Sequence, residues 1–396
     1  MRLSARCACA ALLLLLPLTA LPASAAEPGK KAPARYTPAP LRTTSAPIAD
    51  QYIVTVKPGS TATAAQLTQQ IGAIPLHEYQ HVLRGFAAKL DAKQLAAVRG
   101  LPDVAAVEQD AEVAVGPPPS VRAPAASWGL DRIDQPYLPL NQQFNVNTTG
   151  AGATAYILDT GIDYGHAEFG GRAVFGFDAM GDGRRGQDCN GHGTHVAGTV
   201  GGANYGVARR AALVSVRVLG CDGRGSYSGI IAGLDWVAKN AKQPAVLNGS
   251  LGGPRSAAVN QAATALSDRG VLPVVAAGNE AVDACNVSPA SADRVLTVGA
   301  TNPQDQEASF SNHGPCLDMY APGTAIVSAR LGGGSVALDG TSMASPHVAG
   351  VATLYKAQNP AASSAQVYNW IVDKSVKDVL TVTRSSPNRL VQTGGL

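Results

Sequence analysis

Residues 190–198, Asn-Gly-His-Gly-Thr-His-Val-Ala-Gly, set two histidines three positions apart among glycines and small side chains. Neighbours at i and i+3 share a helix face, so His192 and His195 could together hold one metal ion, or one of them could act as a general base. Spacing does not separate these readings. The rest of the chain does. Asp159 closes the apolar run Thr-Ala-Tyr-Ile-Leu-Asp at 154–159, and Ser342 stands in Gly-Thr-Ser-Met-Ala-Ser-Pro-His at 340–347. A serine hydroxyl is a weak nucleophile until an imidazole removes its proton, and that imidazole needs a carboxylate to fix its tautomer and stabilise its cation. Asp159, His192 and Ser342 supply these three groups. The metal reading has no third ligand nearby, and His-Gly-Thr-His lacks the glutamate of a His-Glu-x-x-His helix.

Groups so distant in sequence meet only if a fold carries them together. Beyond Trp128, the apolar runs at 154–161, 212–220, 244–250 and 271–279 read as strands, and 228–240 and 256–270 have helical spacing. The alternation predicts a parallel sheet covered by helices on both faces, with ligands gathering at the carboxyl ends of its strands. Asp159, Ser250 and Asn279 fall at such ends. His192 is expected to open a small-residue helix. Ser342 is expected just before another, with Pro346 in or near its first turn.

The chain has 396 residues, 45% hydrophobic and 15% charged, with 43 glycines, a composition that suits a close-packed α/β protein. A formal net charge of +3 gives no basis for a nucleic-acid or membrane partner. Residues 1–26 combine Arg2 and Arg6, an apolar run and Ala23-Ser24-Ala25, the order of an export signal. No later apolar run approaches the ~20 residues that span a bilayer. The mature protein is therefore expected to be secreted. Of six cysteines, Cys7 and Cys9 leave with the signal, while Cys189, Cys221, Cys285 and Cys316 remain. An even number bound for an oxidising compartment points to disulfides. Three pairings are open, of which the sequential one closes loops of 221−189 = 32 and 316−285 = 31 positions. Zinc ligation by these cysteines is disfavoured, because no Cys-x-x-Cys occurs. Residues 27–50 read as a Pro-rich linker, 51–115 as a small α+β module of strands and short helices, and 116–127 as a second Pro- and Ala-rich break.

The Asp, His and Ser motifs, in that order, resemble those of the subtilisin-like serine proteases, most of all the proteinase K and aqualysin branch. The resemblance covers about residues 125–393 and includes Ser-Leu-Gly-Gly (250–253), Ala-Ala-Gly-Asn (276–279), Ser-Phe-Ser-Asn (309–312), Ala-Pro-Gly-Thr (321–324) and Ser-Pro-Asn-Arg-Leu (386–390). It implies a subtilisin-like α/β catalytic domain over 128–396, with Asp159, His192 and Ser342 as the triad. It also implies an oxyanion hole of the Asn279 side chain and the Ser342 N–H, and places His195 and His347 inside helices. Substrate would lie extended between Gly223–Tyr227, with Gly225 between them, and Ser250-Leu251-Gly252. Ala276, Ala277 and Gly278 would line a specificity pocket without an acid, which favours apolar or aromatic side chains over Lys and Arg. One departure stands in the neighbouring strand, where Gly249 replaces a bulkier residue.

By the same resemblance, residues 51–115 form an inhibitory, ferredoxin-like propeptide, and alignment at Trp128 puts the mature N-terminus near Val121. Structural calcium is implied at two places. One uses the Asp318 carboxylate with the backbone oxygens of Asp293 and Val295; the other uses Asp131, Asp134 and Gln135, with Asn141 nearby. The expectation is a secreted, monomeric, broad-specificity serine endopeptidase of proteins and peptides, made as a self-processed precursor. Two readings compete with it. A catalytically inert peptide-binding relative would not need all four catalytic residue types, and a metalloprotease would need the missing metal ligands.

Overall fold

The computed structural model describes residues 37–115, 127–383 and 385–396. The expected export signal at 1–26, residues 27–36 of the expected linker and residues 116–126 of the expected second break lie outside the described residues. In the N-terminal module, strands β1 (Leu41–Arg42), β2 (Pro47–Val56), β3 (Pro75–Tyr79), β4 (Gly85–Lys89) and β5 (Val104–Ala114) form a sheet in the order β1-β5-β2-β4-β3. Helices α1 (Ala64–Ile71) and α2 (Ala92–Arg99) each open in a capping box, Thr63 with Gln66 and Asp91 with Gln94, in which side chains satisfy two of the first-turn donors. Side chains alternate along the strands. Val54, Val56, Phe86 and Ala88 pack with Leu67, Ile71 and Val98 of the module's own helices, whereas Ile53, Tyr79 and Ala87 join the core of the following domain.

The linker expectation is corrected at its end. Leu41–Arg42 pairs in parallel with β5, and β2 begins at Pro47 rather than Gln51. Prolines 38, 40 and 47 mask this in the sequence. At a sheet edge, such as β1 occupies, a missing N–H costs no ladder bond.

The second domain starts with α3 (Trp128–Asp134) and continues through β6 (Thr154–Asp159), β7 (Ala173–Asp178), α4 (His192–Gly201), β8 (Ala212–Arg217), β9 (Arg224–Ser226), α5 (Tyr227–Asn240) and β10 (Ala245–Gly249). Next come β11 (Gly253–Pro254), α6 (Ala257–Asp268), β12 (Leu272–Ala276), β13 (Val287–Ser288), β14 (Leu296–Thr301), β15 (Met319–Pro322) and the hairpin of β16 (Ile326–Ala329) and β17 (Ser335–Leu338). Last are α7 (Thr341–Gln358), α8 (Ser364–Lys374), β18 (Val376–Lys377) and β19 (Arg389–Leu390). Nine strands in the order β18-β19-β15-β14-β12-β10-β6-β8-β7 form one sheet, parallel except where β18 meets β19. Both faces are buried. Along β6, Ala155 and Ile157 pack with α4 and α7, and Tyr156 and Leu158 with α5 and α6. This is why its strands read as continuous apolar runs. It is the α/β arrangement expected.

The start of α7 differs from expectation. Ser342 is the second residue of the helix, not its predecessor, while Pro346, the sixth residue, lies near the first turn as expected. The helix begins early because its Thr341 N–H is capped from far away, by the Asn279 side chain at 2.8 Å. Pro346 has no N–H to offer the Ser342 carbonyl four residues back. That carbonyl instead accepts the Ser250 hydroxyl at 2.9 Å.

Candidate active site

Strand β6 carries Asp159 to the carboxyl end of the sheet, where it is fully buried. Its Oδ1 accepts the Thr160 N–H at 2.7 Å and lies 2.7 Å from His192 Nδ1. A carboxylate can only accept, so Nδ1 carries the imidazole proton and Nε2 keeps the lone pair a general base needs. Helix α4 reaches this position through two glycines. Gly191 holds φ +105°, and a Cβ on Gly193 would come within 2.2 Å of the Gly161 carbonyl oxygen. Burial favours neutral His192, but the Asp159 charge, its hydrogen bond and the Asp188 charge outweigh it and hold the pKa above the ordinary value.

Motif reading passes over Asp188, although it adjoins Cys189. Its oxygens accept from the hydroxyls of Thr160 and Thr194 and from the N–H groups of Asn190, Gly191 and Thr194, at 2.6–3.0 Å. This buried carboxylate fastens the first turn of α4, where the helix dipole favours an anion, to the residue after Asp159.

The Ser342 hydroxyl donates to the Ser250 carbonyl at 3.1 Å. A buried chain then fixes Ser250: Asn248 donates to its hydroxyl at 2.9 Å and accepts from Ser345 at 2.8 Å. Asn279 Oδ1 accepts both the N–H and the hydroxyl of Thr341, at 2.8 and 2.9 Å. Its NH₂ is thereby left for another acceptor, and the Ser342 N–H belongs to the first helical turn, whose donors have no partner within the helix. Two donors are thus offered beside one serine hydroxyl.

The expected strand edges come together around β5. On one side Glu112, Val113 and Ala114 pair antiparallel with Ser226, Gly225 and Arg224 of β9, and the Val115 N–H donates to the Gly223 carbonyl at 3.0 Å. On the other side Ala114 bridges to Gly252, next to buried Leu251. Tyr227 is buried, and its hydroxyl donates to the Pro254 carbonyl. Ala276, Ala277 and Gly278 lead from β12 to Asn279, with the Gly278 N–H on the Thr341 hydroxyl at 3.1 Å and the Ala277 carbonyl accepting from Asn312 at 2.8 Å.

His195 and His347 lie within α4 and α7, fully buried. His195 Nε2 faces the carbonyls of Ile326 and Val336 at 3.0 and 3.1 Å, and burial drives its pKa down to about 3. His347 Nδ1 meets the Met343 carbonyl at 2.9 Å, with the pKa driven by burial to about 4. His195 Nε2 is thus taken up by two carbonyls, while its Nδ1 is buried without a hydrogen-bond partner among the described residues. The four remaining cysteines pair sequentially, Cys189 with Cys221 and Cys285 with Cys316.

Asp293, Val295 and Asp318 line one cavity of about 720 Å³, together with Tyr368. Asp318 accepts the Thr297 N–H at 2.8 Å and the Tyr368 hydroxyl, and burial raises its pKa. An acid lining the same cavity as Asp293 and Val295 is the kind of oxygen donor a hard cation takes. Among the described residues, no group of three or more His, Cys, Asp or Glu could hold a metal. In the second place, Asp131 accepts the Asn141 and Gln142 N–H groups at 3.2 and 2.6 Å, Asp134 that of Asn145 at 2.6 Å, and Gln135 that of Asn141 at 3.2 Å. Asp134 Oδ1 is buried without a partner among the described residues, and burial, then the Asp131 charge, raise the pKa of this acid. An orphaned carboxylate oxygen beside a second acid suits an oxygen-coordinated cation.

Residues 150–394 match the Subtilase family, and residues 51–115 match Peptidase inhibitor I9. The chain is 46% identical to the alkaline serine exoprotease A of Vibrio alginolyticus, over 87% of this chain and 67% of that protein. It is 48% identical to the extracellular serine proteinase of Thermus sp. (strain Rt41A), over 80% and 77%. The crystal structure of a cold adapted subtilisin-like serine proteinase matches with a TM-score of 0.67 at 48% identity, covering 68% of this chain and 98% of that one.

Proposed function

The chain belongs to the subtilase family of serine proteases, and from that premise we propose that it is a secreted, broad-specificity endopeptidase released from its own inhibitory propeptide. One observation carries the reading: a strand of the same chain, β5, lies antiparallel between β9 and Gly252, within the segment that also presents Ser250 to Ser342. An extended peptide is thus brought to a nucleophile whose general base is already oriented.

Ser342 Oγ attacks the scissile carbonyl while His192 Nε2 takes its proton, and Asp159 stabilises the imidazolium. The Asn279 NH₂ and the Ser342 N–H meet the oxyanion. His192 then protonates the leaving amine, and water attacks the acyl-enzyme by the same steps in reverse. Ala276, Ala277 and Gly278 line the pocket for the acyl residue. With no acid among them, matched peptides ending in Phe or Leu should be cleaved faster than those ending in Lys or Arg.

Calcium fits both oxygen-rich places described above and would act structurally, Asp318 with the carbonyls of Asp293 and Val295 at one, and Asp131, Asp134 and Gln135 at the other. When bound, it supplies a cross-link between loops. Secretion is supported by the signal-like N-terminus, the two disulfides and the relatives named extracellular or exoprotease.

The test is maturation. Ser342→Ala should accumulate, in a protease-deficient host, as a precursor cut only at the signal, whereas the native chain matures and is labelled at Ser342 by a serine-directed covalent inhibitor. A Ser342→Ala precursor that matures alone at the native rate would remove both the nucleophile and the self-processing scheme. N-terminal sequencing of the native product checks whether the first cut falls near Val121, as alignment at Trp128 implies.

A further inference from the structure

We infer that Arg224 is a specificity-determining residue that selects acidic side chains at a distal position of the substrate. The inference rests on the proposed protease reading and goes beyond it. Arg224 lies on β9, the strand edge against which β5 is paired, and its Nη1 makes an ion pair with Glu112 Oε1 of β5. The strand β5 thus serves as a built-in sample of a bound peptide.

The register defines which residue is read. Ala114 pairs with Arg224 and Glu112 with Ser226, so Glu112 is the diagonal neighbour of Arg224, within reach of long side chains. Ala114 also bridges Gly252. In a substrate strand of the same register, the residue two beyond the one opposite Gly252 falls opposite Ser250, whose carbonyl oxygen is 3.1 Å from Ser342 Oγ. That residue donates the acyl group. The position occupied by Glu112 is then the fourth residue before it.

Arg224 keeps this role after the propeptide leaves. Its side chain is 61% exposed even with β5 in place, and its backbone is held by the Asp222 carboxylate, which accepts the Arg224 N–H at 3.0 Å. A positive charge on the rim of a peptide-binding edge will favour a carboxylate and repel an ammonium. Because the pair is exposed, the effect is modest and salt-dependent, about two- to fivefold for Glu over Gln at low salt, and larger for Glu over Lys.

The experiment uses mature enzyme and three peptides identical except for Glu, Gln or Lys four residues before an apolar acyl residue. Two readouts are taken: kcat/KM, and Kd by fluorescence anisotropy of labelled peptides. Expected is the order Glu above Gln above Lys, flattened by about 0.5 M salt, where the screening length is a few ångströms. Arg224→Lys should keep the order, Arg224→Ala should flatten it, and Arg224→Glu should invert it. Ratios within one variant are compared, so a general loss of activity cancels. Equal values for the three peptides with native enzyme, or an unchanged order in Arg224→Ala, would overturn the inference. The same Kd order without any turnover would keep the subsite and remove the protease reading.

Discussion

Asn279 and Thr341 are locked together through two hydrogen bonds to one oxygen: the Asn279 side-chain carbonyl accepts the Thr341 N–H at 2.8 Å and its hydroxyl at 2.9 Å. The backbone donor fixes which end of the amide faces α7, and so which end is free to donate. Asn279→Ala should lower kcat by about 10²–10³ with little change in KM, since the lost donor acts on the transition state. It should also cost ~1 kcal/mol of stability through the missing helix cap. Thr341→Val keeps the N–H but loses the hydroxyl, and should give a smaller loss in kcat. Steady-state kinetics on one peptide amide check both, and a fall in kcat/KM carried by KM would contradict the assignment.

The pH profile should report His192. Catalysis needs the neutral imidazole, and Asp159 and Asp188 raise the His192 pKa against the effect of burial. Activity should therefore rise with pH through an apparent pKa above the ordinary histidine value. Asp159→Asn removes the charge and replaces one acceptor oxygen by a donating NH₂ that favours the wrong tautomer, so kcat should fall about 10⁴-fold, with the acid limb displaced to lower pH. Asp188→Asn should displace it in the same direction by less. An acid limb unmoved in Asp159→Asn would mean another group controls it.

Release of the propeptide should depend on Asp235. Its Oδ1 accepts the N–H groups of Gln80, His81 and Val82 at 3.2, 2.6 and 2.8 Å. Asp235→Ala strands three donors at the interface and should weaken propeptide binding by about 30-fold or more, the loss typical when one partner of a buried charged contact is removed. Activity should appear sooner after processing, with peptide hydrolysis by the mature enzyme unchanged, because Asp235 lies on α5 away from the nucleophile. An unaltered lag would contradict this.

Calcium should act on stability more than on chemistry. A ligand that binds only the folded state stabilises it by mass action. Chelation should lower the thermal midpoint of inhibitor-blocked mature enzyme, and Asp318→Ala should lower it further than it lowers kcat. Midpoints unaffected by both changes would remove the Asp293, Val295 and Asp318 site.

Gly249 leaves room that a methyl group can fill. A Cβ there would meet Val275 Cγ1 at 3.5 Å, Leu247 Cδ2 at 3.8 Å and Leu158 Cδ2 at 4.0 Å. Gly249→Ala should stabilise by about 1 kcal/mol, from a less flexible unfolded chain and a buried methyl. That amounts to ~2–4 °C in Tm at a fixed scan rate. A lower Tm would show that the strand end cannot absorb the contact.

The sequence by itself determined what depends on neighbours along the chain. The apolar runs of β6, β8, β10 and β12 announce a buried parallel sheet, because both faces of each strand must be apolar. Thr63 with Gln66 and Asp91 with Gln94 announce helix starts, because a capping box closes within four residues. Asp159, His192, Ser342 and Asn279 were legible as residue types in family motifs, and the two disulfides as one of three pairings. What tertiary structure decided involves partners that no local pattern links. Asn279 starts α7 from 62 positions away, Asp188 binds two threonines around His192, and Ser250 uses the carbonyl that Pro346 leaves free. The edge strand β1 was hidden by the prolines that flank it, since a missing N–H is harmless only at an edge, and an edge exists only in the assembled sheet. The Arg224–Glu112 contact is of the same kind: it depends on a register between strands more than 100 residues apart, with |i−j| = 112, which only the packing of the module against α5 and α6 sets.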